Sequence, residues 1–181
     1  MPKRVLIPLA QGCEELEAVT IIDLLRRAEI TVITAGLDNN PVTASRKTVL
    51  IPDTDLDTAL TEEFDMVVLP GGLPGADYLD KDPRIRDMLV KMANSEKFTA
   101  AICAAPKVLA SAGLLKGKQA TAYPGILESD TDTEITGEAV VTAGKVITSR
   151  GPGTAMDFAL TLIEQLVGKD KRDEVEKGLV R

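Results

Sequence analysis

The sequence predicts an α/β fold built on a mainly parallel sheet, and three observations carry that prediction. Short β-branched runs alternate with stretches of helical period along the whole chain. Three of those runs pass into glycine, proline or other small residues just before a helical stretch, as strands do when they feed a crossover. The length of 181 residues is that of one domain, enough to bury roughly 70% of the unfolded surface without disulfide staples.

Strands are expected at residues 5–9, 31–35, 66–69, 99–102, 120–122, 140–142 and 146–148. Pro8 has no N–H for a ladder, so the first strand is expected to end near it. Helices are expected at 14–28, 83–94, 106–111, 155–167 and 171–177. Residues 42–51, flanked by Pro41 and Pro52, read as a small hairpin, and 138–149, centred on Gly144-Lys145, as a second one. Thr154-Ala155-Met156-Asp157 has capping-box spacing for the helix to Val167, with Gly168 placed for a left-handed C-terminal cap.

Composition removes several functions. The net charge is −7 and there is no histidine, so any chemistry needing an imidazole must use another group. The acidic balance argues against nucleic acid and anionic lipid, which call for a basic face. Aromatics at 3% leave few platforms for stacking bases. No apolar run approaches the roughly 20 residues of a membrane helix, and five apolar residues after Met1-Pro2-Lys3-Arg4 are too few for a signal-peptide core. The chain is expected to be cytoplasmic, with Cys13 and Cys103 as free thiols.

Chemistry is expected where loops leave the carboxyl ends of the strands. There the sequence offers Gly12-Cys13-Glu14-Glu15-Leu16-Glu17, Pro70-Gly71-Gly72-Leu73-Pro74-Gly75 and Cys103-Ala104-Ala105-Pro106. Cys103 follows an apolar strand and precedes small residues and a proline suited to a first helical turn, the setting of a nucleophile elbow. Such a position favours a thiolate. Cys13 has no such setting and reads as a bystander. Glu14 and Glu17 share a helical stripe with Ala18, Ile21 and Leu25 and so face the sheet, where a carboxylate is costly unless hydrogen-bonded or protonated. A protonated glutamate can donate to a thiolate and so stabilise it without a histidine. The glycines at 71 and 72 let backbone N–H groups approach a ligand, and one of them with the amide after Cys103 would form an oxyanion site. Gly71-Gly72 lacks the Lys-Ser/Thr of a phosphate loop. Ser149-Arg150-Gly151-Pro152-Gly153 reads equally as an anion-holding loop or a charged turn pinning two elements; Arg26, Arg27 and Arg46 read as solvated charges.

The blocks Gly12–Glu17, Val67–Gly72, Ala100–Pro106 and Ser149–Thr154, in this order, resemble the ThiJ/PfpI superfamily. They are most similar to the branch of the Parkinson-disease-associated protein deglycase and its bacterial YajL-like relatives. The resemblance implies one domain of the class I glutamine-amidotransferase-like kind, a flavodoxin-like three-layer sandwich and a homodimer, with no cofactor and no metal. It implies Cys103 as an oxidation-prone elbow thiol, Glu17 as its protonated partner, and Gly72 with Ala104 as backbone donors. Glu14, Gly71, Tyr123, Ser149 and Arg150 would surround the pocket, with Arg27 and Arg46 lining it near the dimer interface. Apart from the resemblance, a dimer is suggested only by the apolar pair Leu16 and Val19 on the outer side of the first helix. Many relatives carry a histidine before a proline where this chain has Tyr123-Pro124, which undercuts protease and amidase chemistry.

The expected function is stress protection by a cysteine acting on α-oxoaldehydes such as methylglyoxal, or on their adducts with proteins, amino acids or thiols. The alternative is a redox-sensing, chaperone-like protein whose Cys103 is oxidised to sulfinic acid.

Overall fold

The computed structural model describes residues 1–181. Its strands are β1 (Arg4–Leu9), β2 (Thr31–Gly36), β3 (Val42–Thr43), β4 (Val49–Leu50), β5 (Thr54–Asp55), β6 (Met66–Leu69), β7 (Phe98–Ile102), β8 (Gln119–Ala120), β9 (Glu134–Ile135), β10 (Val140–Ala143) and β11 (Val146–Ser149). The helices are α1 (Glu15–Arg27), α2 (Leu56–Ala59), α3 (Gly75–Lys81), α4 (Pro83–Asn94), α5 (Pro106–Ser111), α6 (Ala155–Val167) and α7 (Lys169–Gly178).

Seven strands form the main sheet in the order β10-β11-β7-β6-β1-β2-β5, and only the β10–β11 pair is antiparallel. Side chains alternate across it. Val5, Ile7, Leu9, Met66, Val68, Ala100 and Ile102 join a core with α1 and α6. Leu6, Val67, Leu69 and Ala101 join a second core with α3, α4 and α5. Burial on both faces is why these strands read as continuous apolar runs. The result is the expected three-layer, flavodoxin-like α/β sandwich.

Several local expectations need correction. The end of β1 is not among them: it stops at Leu9, one residue past Pro8, which aligns with Ala35 of β2. The carbonyl of Lys3 accepts from Thr31 on the β2 side and that of Arg4 from Asp65 on the β6 side. Even-numbered residues therefore face β6, and the donor Pro8 lacks is missing from that ladder alone. The β6 pairing stops at Leu6↔Val67, whereas the β2 pairing continues to Leu9↔Gly36. The strand expected at 120–122 is instead β8, paired with β9 in a separate small sheet. Both hairpins are present, as β3–β4 and β10–β11. Thr154 does not cap α6; its Oγ1 meets Ser149 Oγ at 2.6 Å and donates to the Gly151 carbonyl at 2.9 Å. Gly168 has φ 95° but ψ 167°, outside the left-handed helical well, and serves as the joint between α6 and α7. Helices α2 and α3 were too short to show an apolar period. No helix is long and apolar enough to cross a membrane.

Candidate functional site

The three junctions converge at one edge of the sheet because β1, β6 and β7 are adjacent and parallel. Between Ile102, the end of β7, and Pro106, the start of α5, the chain reverses in three residues. Cys103 takes the strain of that reversal, with φ +64°. Its N–H donates to the Ser149 carbonyl at 2.9 Å, and its carbonyl accepts from Tyr123 N–H at 2.9 Å. Two neighbouring segments thus hold the elbow. Gly71 packs directly on it: a Cβ there would lie 2.7 Å from both Cys103 Cβ and the Ile102 carbonyl oxygen. This close approach, not a positive φ, is why residue 71 must be glycine.

A left-handed conformation costs a residue with a Cβ roughly 1–2 kcal/mol, a cost glycine escapes. Replacing Cys103 with Gly is therefore expected to give a protein about 1 kcal/mol more stable than the Cys103→Ala protein. Urea denaturation of the two checks this; equal midpoints would mean that the elbow is not strained.

Glu17, in the first turn of α1, is fully buried. Its Oε2 accepts from Gly71 N–H at 2.8 Å. Oε1 has no hydrogen-bond partner, and the Cys103 thiol is the neighbouring side chain that acts on the carboxyl. Burial is the main reason the carboxyl is raised to about 7; the hydrogen bonds to Cys103 and Gly71 oppose it, and Glu14's charge adds to it. Burial also leads on the sulfur. Together with the charge of an ionised Glu17 and its hydrogen bond it pushes the Cys103 thiol up to about 12, against the N–H groups of Gly72 and Ala104. A thiol beside an ionised Glu17 is therefore not a thiolate. Two of the three upward causes require Glu17 to be charged, and both disappear when the carboxyl holds the proton. Since burial alone makes that proton easy to keep, the two groups titrate as a coupled pair.

The other expected residues divide. Gly72 and Ala104 both present N–H groups to the sulfur. Glu14 does not face the sheet: it is half-buried, caps α1 through Leu16 N–H at 3.3 Å, and accepts from Ser45 Oγ at 3.0 Å. Ser149 holds the elbow through its carbonyl, while its hydroxyl donates to Ala139 O at 2.8 Å. Arg150 is exposed and donates to Gly137 O at 2.7 Å, which makes it the pin of a charged turn. Tyr123 is half-exposed and lines a cavity of about 130 Å³ with Ile135 and Arg150. Arg27 lies in an exposed pair with Asp23 at 2.7 Å, and Arg46 is exposed; within one chain neither guanidinium is drawn to the thiol. Cys13 is buried, and burial with the charges of Glu15 and Glu14 pushes its thiol up to about 12, which makes it inert. A larger cavity of about 600 Å³ opens among Leu9, Gln11, Tyr78 and Arg84 and has neither Cys103 nor Glu17 in its walls. No three His, Cys, Asp or Glu side chains come together as a metal-holding group.

One residue escaped the sequence reading. In sequence Glu15 is an acid in a first helical turn, a position where a carboxylate ordinarily does no more than favour the helix dipole. Its carboxylate instead accepts from Arg46 N–H at 2.9 Å, Ser45 Oγ at 3.1 Å and Thr48 N–H at 3.4 Å. Desolvation works against it, yet its own backbone N–H together with these bonds holds its carboxyl below the usual range.

A profile of the DJ-1/PfpI family matches residues 3–165. The chain is 45% identical to Protein DJ-1 homolog B of Arabidopsis thaliana over 97% of its own length, and spans 40% of that longer protein. It superposes on the crystal structure of Drosophila melanogaster DJ-1beta with a TM-score of 0.96 and 43% identity, covering 99% of this chain and 98% of that one. It is 33% identical to a Caenorhabditis elegans protein named glutathione-independent glyoxalase DJR-1.2, over 97% of this chain and 94% of that one.

Proposed function

The chain belongs to the DJ-1/PfpI family, and from that premise we propose that it is a stress-protective enzyme converting α-oxoaldehydes to 2-hydroxy acids through Cys103. The observation that carries this reading is the fully buried Glu17 carboxyl beside the elbow thiol, with one oxygen held by Gly71 N–H and the other left without a partner. The similarity to a named glyoxalase supports it.

In the reactive microstate Glu17 holds the proton and the sulfur is the anion. The sulfur adds to the aldehyde carbon of methylglyoxal, and the new oxyanion is held by the Gly72 and Ala104 N–H groups. Its protonation gives a hemithioacetal. Glu17, now ionised, removes the proton from the former aldehyde carbon, giving an enediolate. It returns the proton to the neighbouring carbon, leaving a lactoyl thioester on Cys103. Water hydrolyses the thioester to lactate and frees the thiol, so the net change is addition of one water. Adducts of the aldehyde with amines or thiols enter the same sequence by releasing the amine or thiol. The chain acts as a homodimer in this reading, with Arg27 and Arg46 close to the site only in the pair. Lactate formed from methylglyoxal by the parent, and not by a protein without the thiol, tests it.

A second reading is favoured by exposure: Cys103 is only 8% accessible, which suits a small oxidant better than a protein-bound adduct. Peroxide would oxidise the thiolate to sulfenate with release of water, and a second peroxide would take it to sulfinate. The same two N–H groups would then hold the oxidised sulfur. Mild peroxide is expected to add two oxygens to Cys103 by intact mass. If that happens while aldehyde turnover is negligible, sensing and not catalysis is the role.

A further inference from the structure

The β3–β4 hairpin lies far from the chemistry in sequence, yet it is bound to the segment that carries Glu17. Gly12 N–H donates to Thr43 O at 2.8 Å and Ser45 N–H to Cys13 O at 2.8 Å. Gln11 adds two more bonds, accepting from Thr43 N–H at 2.9 Å and donating to Pro41 O at 2.9 Å. The Glu15 carboxylate then closes over the hairpin turn, taking Arg46 N–H, Thr48 N–H and Ser45 Oγ together. That turn needs holding, because Lys47 sits at φ +76°.

On its other side the same segment is bonded to the glycine loop. Glu14 N–H donates to Gly71 O at 2.9 Å, and Gly71 N–H returns to Glu17 Oε2 at 2.8 Å. Hairpin, residues 11–15, Gly71 and the Glu17 carboxyl form one continuous hydrogen-bonded stack that ends beside Cys103. We propose that Glu15 is a positioning residue: by clamping the hairpin turn onto the first turn of α1 it fixes where Glu17 meets the sulfur. The inference rests on the shared-proton reading of Glu17 and Cys103, and it assigns Glu15 no contact with substrate. The ionisable groups packed around the clamp are Glu14, Arg46 and Lys47, with Cys13 and Glu17 beneath it.

The test is the pH dependence of Cys103 alkylation by iodoacetamide, read by peptide mass, in the parent and in Glu15→Gln, Glu15→Ala and Ser45→Ala proteins. A weakened bond from Glu17 to the sulfur should move the Glu15→Ala midpoint up by about one pH unit. Glu15→Gln retains one acceptor oxygen and should fall between parent and Ala. Ser45→Ala leaves both peptide N–H donors in place and should stay near the parent. A purely structural role would lower the melting temperature without moving the midpoint, and that result overturns the proposal. Should Glu15→Ala fail to fold, Glu15→Gln is judged by the same midpoint. Glu17→Ala is run beside them. If it too leaves the profile unmoved, the shared-proton reading has failed; if it moves the profile and the Glu15 proteins do not, only the clamp has failed.

Discussion

A Cys103→Ala protein is expected to lose lactate production from methylglyoxal by about a thousandfold or more, since removing a covalent nucleophile leaves only binding and the oxyanion donors. The fold should survive. Alanine keeps the Cβ and the same φ strain, and the elbow is held by backbone bonds to Ser149 and Tyr123 that do not involve the sulfur. Loss of activity can then be assigned to the thiol and not to collapse, with a circular dichroism melt as control. Turnover within tenfold of the parent would remove Cys103 from the mechanism. Cys13 could not replace it, being sealed beneath the Gly72–Gly75 turn with its thiol pushed up to about 12.

The second large effect belongs to Glu17. On the shared-proton reading, alkylation of Cys103 in the parent should rise with a midpoint near 7, where the raised Glu17 carboxyl sets the first loss of a proton from the pair. Glu17→Gln keeps a donor toward the sulfur and removes the charge that opposes ionisation, so its midpoint should stay within about one unit of the parent. Glu17→Ala removes the donor. A hydrogen bond to a charged group contributes about 1.5–3 kcal/mol, so the midpoint should rise by about one to two units. Equal profiles for Gln and Ala would mean that Glu17 does not hold the thiolate.

Stability should carry the same signature. The folded carboxyl keeps its proton up to about 7, whereas the unfolded one ionises near 4.5. Between those values the unfolded state binds fewer protons, so stability falls as pH rises through this window and is level above it. The fall is on the order of 3 kcal/mol. Urea titrations at pH 4.5 and 7.5 should show it in the parent and not in Glu17→Gln.

The layered sandwich was legible because a sheet buried on both faces writes itself as apolar runs, and because α1, α4 and α6 each carry a full apolar stripe. Cys103, Gly71 and Glu17 were legible for a related reason: each breaks the local pattern, as a polar or unbranched residue where burial or a regular strand was due. Glu14 and Glu17 were not separable on the helical wheel. Only the structure showed that Glu14 leaves the stripe to cap the helix, since capping depends on where the loop before it goes. The sequence also offered no way to see that Arg27 is occupied by Asp23 or that Arg150 serves as a pin.

Sequence alone determined that a sheet covered on both faces forms and that three chemically suited junctions follow its strands, because those follow from short-range periodicity. Tertiary structure decided that strand order brings the three junctions to one edge, which groups surround Glu17 and what Glu15 grips. Glu17 meets an amide 54 positions away and Glu15 a turn 31 positions away. Ionisation answers to such neighbours and to the water they exclude, and neither is encoded within one turn of a helix.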